Sequence, residues 1–366
     1  MHFIALILYS VFFFWPFWSN PHLNNTSEMA TTFYPHWKWM GDKLKKMELP
    51  FTDKIYYKFP VGIPFLSTFY PLHLLTSLTG SFRVLQYNIL LHYLITSLLS
   101  YHLFSQWCSP VVSVFGAITL SYSGYCIKLQ QPCIPYTLAW IPGIFLDGWL
   151  GVFSMTMALY GGYYPVLIYL MPFILVVHTK TVLLGILFSL PQIIPFLFYF
   201  KKSVRWKEGI KSSFGRVPLG KLVELILPLR PHKHTNDVFY MEMAMYMGCA
   251  FLFIWFSGSR FWYVLLFGLS VAAGLIRPWQ RIPARALYIV TLSISILATD
   301  GLSKLGLNND SLWLIVLLQA VLLLFNRDIY PCFPFTQWWR KDHRLDYTGY
   351  LSGVKLNDYR GAFSLK

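Results

Sequence analysis

Three arginines in the segment RPWQRIPAR have the type and spacing to bind a charged ligand. Arg277, Arg281 and Arg285 recur every four residues, which would put Arg281 and Arg285 on one face of a helix, although Pro283 interrupts a regular helix there. A guanidinium group presents two donors side by side and therefore suits the oxygens of a phosphate. The alternative is that these arginines end a membrane span and extend to the interface.

A second basic patch consists of Arg230, His232, Lys233 and His234, which we interpret as part of a solvated loop rather than as a phosphate site. Its two histidines have no carboxylate or cysteine at ligand spacing, so the patch does not indicate a metal site. The five cysteines are scattered without CxxC spacing and indicate neither zinc nor a disulfide framework. We therefore expect no cofactor and no metal ion.

A few other residues are unusual for the apolar stretches that contain them. Glu242 opens such a stretch in YMEMAMYMG, where an acid is costly unless it is paired with an arginine or functional. His92 and His102 share one stretch, and we interpret both as histidines satisfied within a helix bundle. Gly161 and Gly162 indicate a tight turn or close helix packing rather than a ligand site.

The composition is that of a membrane protein. The 366 residues are 56% hydrophobic and only 12% charged, with a mean hydropathy of +0.49, whereas a soluble domain carries roughly a quarter charged residues. The 22 prolines and 23 glycines interrupt every long stretch and exclude a coiled coil. Basic residues outnumber acidic ones by 30 to 15, and because no soluble module could hold nucleic acid, lipid phosphates are the expected partners.

Apolar stretches predict an all-α, polytopic transmembrane bundle of about eleven spans. The predicted spans are 3–18, 84–107, 111–127, 134–146, 150–160, 163–177, 182–200, 241–257, 261–276, 284–302 and 312–325. They form one membrane domain, residues 1–326, with a first outer loop at about 19–83 and a second at about 201–240, followed by a polar tail, 327–366.

The first loop is predicted to carry juxtamembrane elements. Residues 35–49 mix aromatic residues with lysines and read as a short amphipathic helix on the membrane surface. Residues 63–78 are apolar but broken by prolines, and are predicted to be re-entrant or interfacial.

Charge and span count disagree about the orientation of the chain. With an odd number of spans and a cytoplasmic N-terminus, one outer face is shared by the two loops, the tail and the connections 128–132, 161–164 and 277–283. The positive-inside rule favours the inverse, because the first loop is rich in lysine, including Lys43, Lys45 and Lys46.

Local sequence resembles a known family. EMATTFYP, starting at Glu28, and then ELPFTDK and GIPFLSTFYPLHLL are similar to the first outer loop of the YfhO-like bacterial membrane proteins. The likeness continues, in the same order, through GAITLSYSGYCIKLQQPCIPYTLAWIP, GGYYPVLIYL, LPQIIPFLFYFKKSVR, YMEMAMYMG and RIPARAL. It covers roughly residues 20–305, and the chain resembles a shortened member of that family.

The family belongs to the GT-C class, whose members transfer a sugar from a polyprenyl-phosphate-type donor to an acceptor at the outer membrane face. The resemblance therefore implies a GT-C-like fold in the bacterial cytoplasmic membrane, with the first loop outside. It implies Glu28 as the general base, standing where the family has Asp. Asp53 is the second candidate, although no part of the motif points to it. The implied substrate-binding residues are Arg277, Arg281, Arg285 and Glu242.

Other functions remain open at the level of sequence. Glu28 could instead be a solvated loop acid in an NTSE turn. The chain could also be a transporter or flippase of a lipid-linked glycan, although no inverted repeat is visible in its spans. A third alternative is a non-catalytic membrane relative of the family.

Overall fold

The computed structural model describes residues 2–16, 33–48, 67–124, 126, 133–202, 223, 225, 227, 246–273, 275 and 286–327. All regular secondary structure in these ranges is helical, which confirms the all-α prediction for the described part of the chain. The helices are α1 His2–Phe13, α2 Tyr34–Lys45, α3 Pro71–Ser77, α4 Phe82–Phe104, α5 Pro110–Tyr122, α6 Cys133–Leu138, α7 Ile141–Ile144, α8 Gly148–Gly161, α9 Tyr164–Phe188, α10 Leu190–Lys202, α11 Ala250–Phe253, α12 Phe261–Ala272, α13 Leu287–Lys304 and α14 Asn309–Arg327, with a 3₁₀ helix at Ile254–Phe256.

Two of the described helices, α9 and α13, are long and apolar enough to cross a membrane. Buried residues make up 83% of the apolar window of α13, which therefore lies at the centre of the bundle, and 28% of that of α9. The predicted count of about eleven spans is not reached by this criterion and stays a prediction.

Helix α9 is interrupted at His178, whose φ of −131° and ψ of 50° are not helical. The half before the break, residues 164–177, follows directly on α8, which ends at Gly161. Its last residue, Val177, lines one groove together with Val152 near the start of α8. The first half of α9 therefore runs antiparallel to α8.

The half after the break runs in the opposite direction. A Cβ placed on Gly151 would lie 3.2 Å from Cγ2 of Thr181, and farther along both helices the Tyr160 hydroxyl donates to the Phe188 carbonyl oxygen at 2.9 Å. The second half is therefore parallel to α8, and α9 is a helical hairpin. This agrees with the predicted turn between the stretches 163–177 and 182–200.

The helix ends gather at two opposite ends of the bundle. We call one the first-loop end; it holds α2, α3, the start of α4, residues 161–163 and the start of α13 at Leu287. The far end holds His2, residues 105–109, 147–149, 178–180 and 257–260, and the end of α13 at Lys304. The Ser67 hydroxyl donates to the Gly161 carbonyl oxygen at 2.7 Å and so joins the first loop to the turn after α8.

The predicted surface helix of the first loop is a helix, α2, but one face of it is buried in the protein. His36, Trp37 and Met40 are at most 2% exposed. Helix α2 crosses α3 so closely that a Cβ on Gly41 would lie 2.1 Å from the Ser77 carbonyl oxygen. Helix α3 has seven residues, too few to span a membrane, which agrees with the interfacial prediction for that segment.

A buried glutamine ties α14 to α5 and to the turn before α11. The side-chain oxygen of Gln319 accepts from the Cys249 amide at 2.8 Å, and its nitrogen donates to the Thr119 hydroxyl at 3.0 Å and the Met247 carbonyl at 2.9 Å. Gly248 adopts a φ of +65°, and a Cβ there would lie 2.3 Å from the glutamine oxygen. All these polar groups are buried, and the amide satisfies them together.

The outside of the bundle carries many exposed apolar side chains. They lie on α1, α8, α9, α10, α12 and α14 and include Leu8, Trp149, Val176, Phe198, Leu266, Leu314 and Phe325. A monomeric soluble protein rarely exposes so much contiguous apolar surface, whereas a lipid-facing surface needs it.

Candidate functional site

The residues that the sequence analysis assigned to catalysis, to substrate binding or to a basic patch lie outside the described residues. They are Glu28, Asp53, Arg230, His232, Lys233, His234, Glu242, Arg277, Arg281 and Arg285. The described helices that follow them in sequence are α2 after Glu28, α3 after Asp53 and α13 after Arg285, and all three begin at the first-loop end. The structure therefore shows what supports this end of the molecule, and the candidate site is the polar core beneath it.

That core is a cluster of three histidines and two tyrosines, which we call the histidine–tyrosine cluster: His36, Tyr70, His73, His92 and Tyr136. Helix α2 supplies His36, α3 and the residue before it supply His73 and Tyr70, and α4 and α6 supply His92 and Tyr136. All five side chains are at most 2% exposed. The cluster is where the two first-loop helices dock on the bundle.

His92 ends a directed chain of hydrogen bonds. Its Nδ1 lies 2.6 Å from the Asn88 carbonyl oxygen, which can only accept, so Nδ1 carries a proton. In the neutral ring Nε2 is then an acceptor, and the Tyr70 hydroxyl donates to it. Tyr70 in turn accepts from the Trp140 indole nitrogen at 2.7 Å. The chain runs from Trp140 through Tyr70 to His92, and it fixes Tyr70 at the start of α3.

Tyr136 joins α6 to α3 and α4. Its hydroxyl accepts from Nδ2 of Asn88 at 2.9 Å and lies 3.3 Å from Nδ1 of His73. Since an amide hydrogen already occupies one lone pair, the hydroxyl hydrogen is free to point at His73. The ring of Tyr136 also stacks on Tyr70, with centroids 4.8 Å apart.

Burial keeps the two first-loop histidines neutral. Desolvation lowers the pKa of His36 to about 3, and desolvation together with repulsion from His36 and His92 lowers the pKa of His73 to about 3. His36 bonds through Nε2 to the Thr68 hydroxyl at 3.3 Å. Nδ1 of His36 and Nε2 of His73 have no hydrogen-bond partner among the described residues.

This arrangement suits positioning better than ligand binding. A neutral cluster offers no cation to a phosphate, and in the described ranges no three His, Cys, Asp or Glu side chains converge on a metal ion. Its hydrogen bonds and stacked rings instead hold α2 and α3 against α4 and α6. Whatever the first loop binds, these two helices supply a fixed base for it.

The sequence interpretation of individual residues held in part. His92 is a satisfied bundle histidine as predicted, but His102 is exposed at the far end of α4. Gly162 caps α8 with a φ of +81°, and a Cβ on Gly161 would lie 2.6 Å from the Thr137 hydroxyl, so both glycines serve the tight turn and the close packing predicted.

The histidine–tyrosine cluster itself was not foreseen. Its five members come from four helices, so no spacing along the chain links them. The only local signal is that histidine recurs beside aromatic and apolar residues, in PLHLL and ILLHYL.

Comparison with known proteins adds no further information, since no family model, curated protein or solved structure matches the chain.

Proposed function

We propose that the chain is a multi-pass protein of the bacterial cytoplasmic membrane and a YfhO-like glycosyltransferase of the GT-C class. In this proposal it transfers a sugar from a polyprenyl-phosphate-type donor to a cell-envelope acceptor. Glu28 acts as general base, with Asp53 as the second candidate, and Arg277, Arg281 and Arg285 hold the donor phosphate. Glu242 completes the substrate site.

The membrane location is supported by two features. Helix α13 is long and apolar enough to cross a membrane, whereas α9 reaches that length only when the two halves that meet at His178 are counted together. The exposed apolar side chains of α1, α8, α9, α10, α12 and α14 would face lipid.

The observation that carries the functional proposal is the docking of the first loop. In a GT-C reaction the acceptor, the base and the donor phosphate must meet at one end of the bundle. Helices α2 and α3 are held there by the histidine–tyrosine cluster. The segments with Glu28 and Asp53 connect α1 to α2 and α2 to α3, and the arginine segment precedes α13, which begins at the same end.

The test is a transfer assay on the purified full chain in lipid–detergent micelles. The donor is polyprenyl phosphate carrying a radiolabelled sugar, across a panel of sugars, and the acceptor is a cell-envelope fraction. We expect Glu28→Gln to lower the transfer rate by roughly a hundred- to ten-thousand-fold, the usual effect of losing a general base. Glu28→Asp should retain activity. Donor binding should survive both changes, because phosphate recognition is assigned to the arginines.

Matched variants separate the roles. Asp53→Asn should leave the rate near that of the wild type; if it abolishes transfer while Glu28→Gln does not, the base is Asp53. Arg281→Ala should weaken binding of polyprenyl phosphate, whereas Lys45→Ala should not. Donor movement between leaflets of proteoliposomes without any sugar transfer would replace the transferase by the flippase alternative.

A further inference from the structure

A groove lies at the far end of the bundle, away from the first loop. Its volume is about 540 Å³, and its walls are the turn from residue 147 to the start of α8 and the break in α9. Its lining combines polar side chains, including Lys180 and Thr181, with the apolar side chains of Trp149, Val177 and Leu184, which we call the apolar wall. No residue assigned to the sugar-transfer site belongs to it.

The groove is lined by one cation, Lys180, that is not paired with the acid of the groove, Asp147. Oδ1 of Asp147, the one acid that lines the groove, lies 3.6 Å from Nδ1 of His178. Lys180 forms no ion pair in the part of the chain that the structure describes. Its ammonium therefore remains available to an anion.

The apolar wall is open to the outside of the bundle. Trp149 is 73% exposed and Val177 66% exposed, and Leu184 continues the wall along the second half of α9. A tryptophan at the end of an apolar helix is typical of the level of lipid head groups. A lysine beside exposed apolar side chains matches the chemistry of a lipid, which has a charged headgroup and an acyl chain, rather than that of a soluble anion.

The hairpin in α9 brings a second helix N-terminus to the groove, beside that of α8. Because α8 and the second half of α9 run parallel, both begin at the groove, α8 at Gly148 and the half-helix just after His178. The amide groups of a first helical turn have no partner within the helix and favour a negative charge.

We propose that this groove binds an anionic phospholipid, with the headgroup phosphate at Lys180 and an acyl chain along Val177 and Leu184. The site requires only that the protein lies in a membrane, and it is independent of any sugar transfer. It would be occupied by a lipid of the leaflet opposite the first loop.

The test compares phosphatidylglycerol with phosphatidylcholine, both added to the purified full chain in detergent, by native mass spectrometry of the bound lipid. The wild type should prefer phosphatidylglycerol. Lys180→Gln should lower its affinity for that lipid about fivefold, the contribution expected of one lysine at a lipid headgroup, and Lys180→Arg should retain it. Arg260→Gln is the matched control, since Arg260 is an exposed cation of the same end that does not line the groove.

Three outcomes would overturn the proposal: no preference between the two lipids, equal losses from Lys180→Gln and Arg260→Gln, or displacement of the lipid by millimolar inorganic phosphate. The last would indicate a soluble anion instead. If Lys180→Gln does not fold, Val177→Asp changes an exposed position and should weaken phosphatidylglycerol more than phosphatidylcholine. No donor or acceptor is present, so failure of the transferase assay leaves these measurements unaffected.

Discussion

Acidification should release the first-loop helices from the bundle. The pKa of His36 and that of His73 are about 3 in the docked state, against 6.5 for an ordinary histidine. The docked state therefore binds fewer protons than the released state. Docking is strongest above pH 6.5 and weakens as the pH falls from 6.5 towards 3. Among the described residues, the side chains that face the two histidines, Thr68 and Tyr136 among them, include no acid that would stabilise an imidazolium.

The size of the effect follows from these values. At about pH 5.5 a histidine with a pKa of 6.5 is protonated about ten to one when released, while one with a pKa of about 3 stays neutral when docked. Each histidine then shifts the docking equilibrium by about 11-fold, or about 1.4 kcal/mol. Both together shift it by about 120-fold, or about 2.8 kcal/mol.

Hydrogen exchange of the α2 backbone amides measures this equilibrium in micelles at about pH 7.5 and pH 5.5, after correction for the intrinsic rate. Protection of α2 should fall by about 100-fold in the wild type, about 10-fold for each histidine between these two pH values. In His73→Phe, which keeps a ring but cannot titrate, the fall should be only about 10-fold. His102→Phe alters an exposed histidine and should behave as the wild type. Equal protection at both pH values, or an unchanged response in His73→Phe, would refute the assignment of neutral buried histidines.

Three further predictions concern packing and orientation. Gly41→Ala should destabilise the protein by about 1–3 kcal/mol in thermal unfolding, because its Cβ meets the Ser77 carbonyl and the gain in helix propensity is smaller. Gln319→Leu should cost about 3 kcal/mol by leaving its buried partners unpaired, whereas the exposed Gln106 should tolerate the same change. In a variant without other cysteines, a membrane-impermeant thiol reagent should label Cys332 in intact cells; labelling only after lysis would invert the proposed topology.

The sequence predicted the helical class, the α2 helix and the break near residue 178 because these depend on local signals. Apolar runs, lysines mixed with aromatics, and the polar segment HTKT are each visible within one stretch of chain. The burial of His36 was not predictable in this way. An amphipathic helix in isolation could lie on lipid, and only its packing on α3 through Gly41 shows that its inner face meets protein.

The candidate site, too, could be predicted only where it depends on a local sequence signal. A single position such as Glu28 can be assigned by resemblance, because a motif is continuous in sequence. The hydrogen bonds from Trp140 through Tyr70 to His92 join residues far apart in the chain, and no local pattern encodes them. The amide of Gln319 is a similar case, since its partners lie on α5 and before α11.

The non-helical backbone of His178 decides at which end of the bundle the chain emerges from α9. Read as one continuous helix, residues 164–188 would carry the chain from the first-loop end to the far end, and every later segment would change sides. Folded back at one residue, the same stretch returns the chain to the end from which it started, with Phe188 beside Tyr160. A count of apolar runs that merges the two halves therefore inverts the assigned side of everything after them, including the arginines that precede α13.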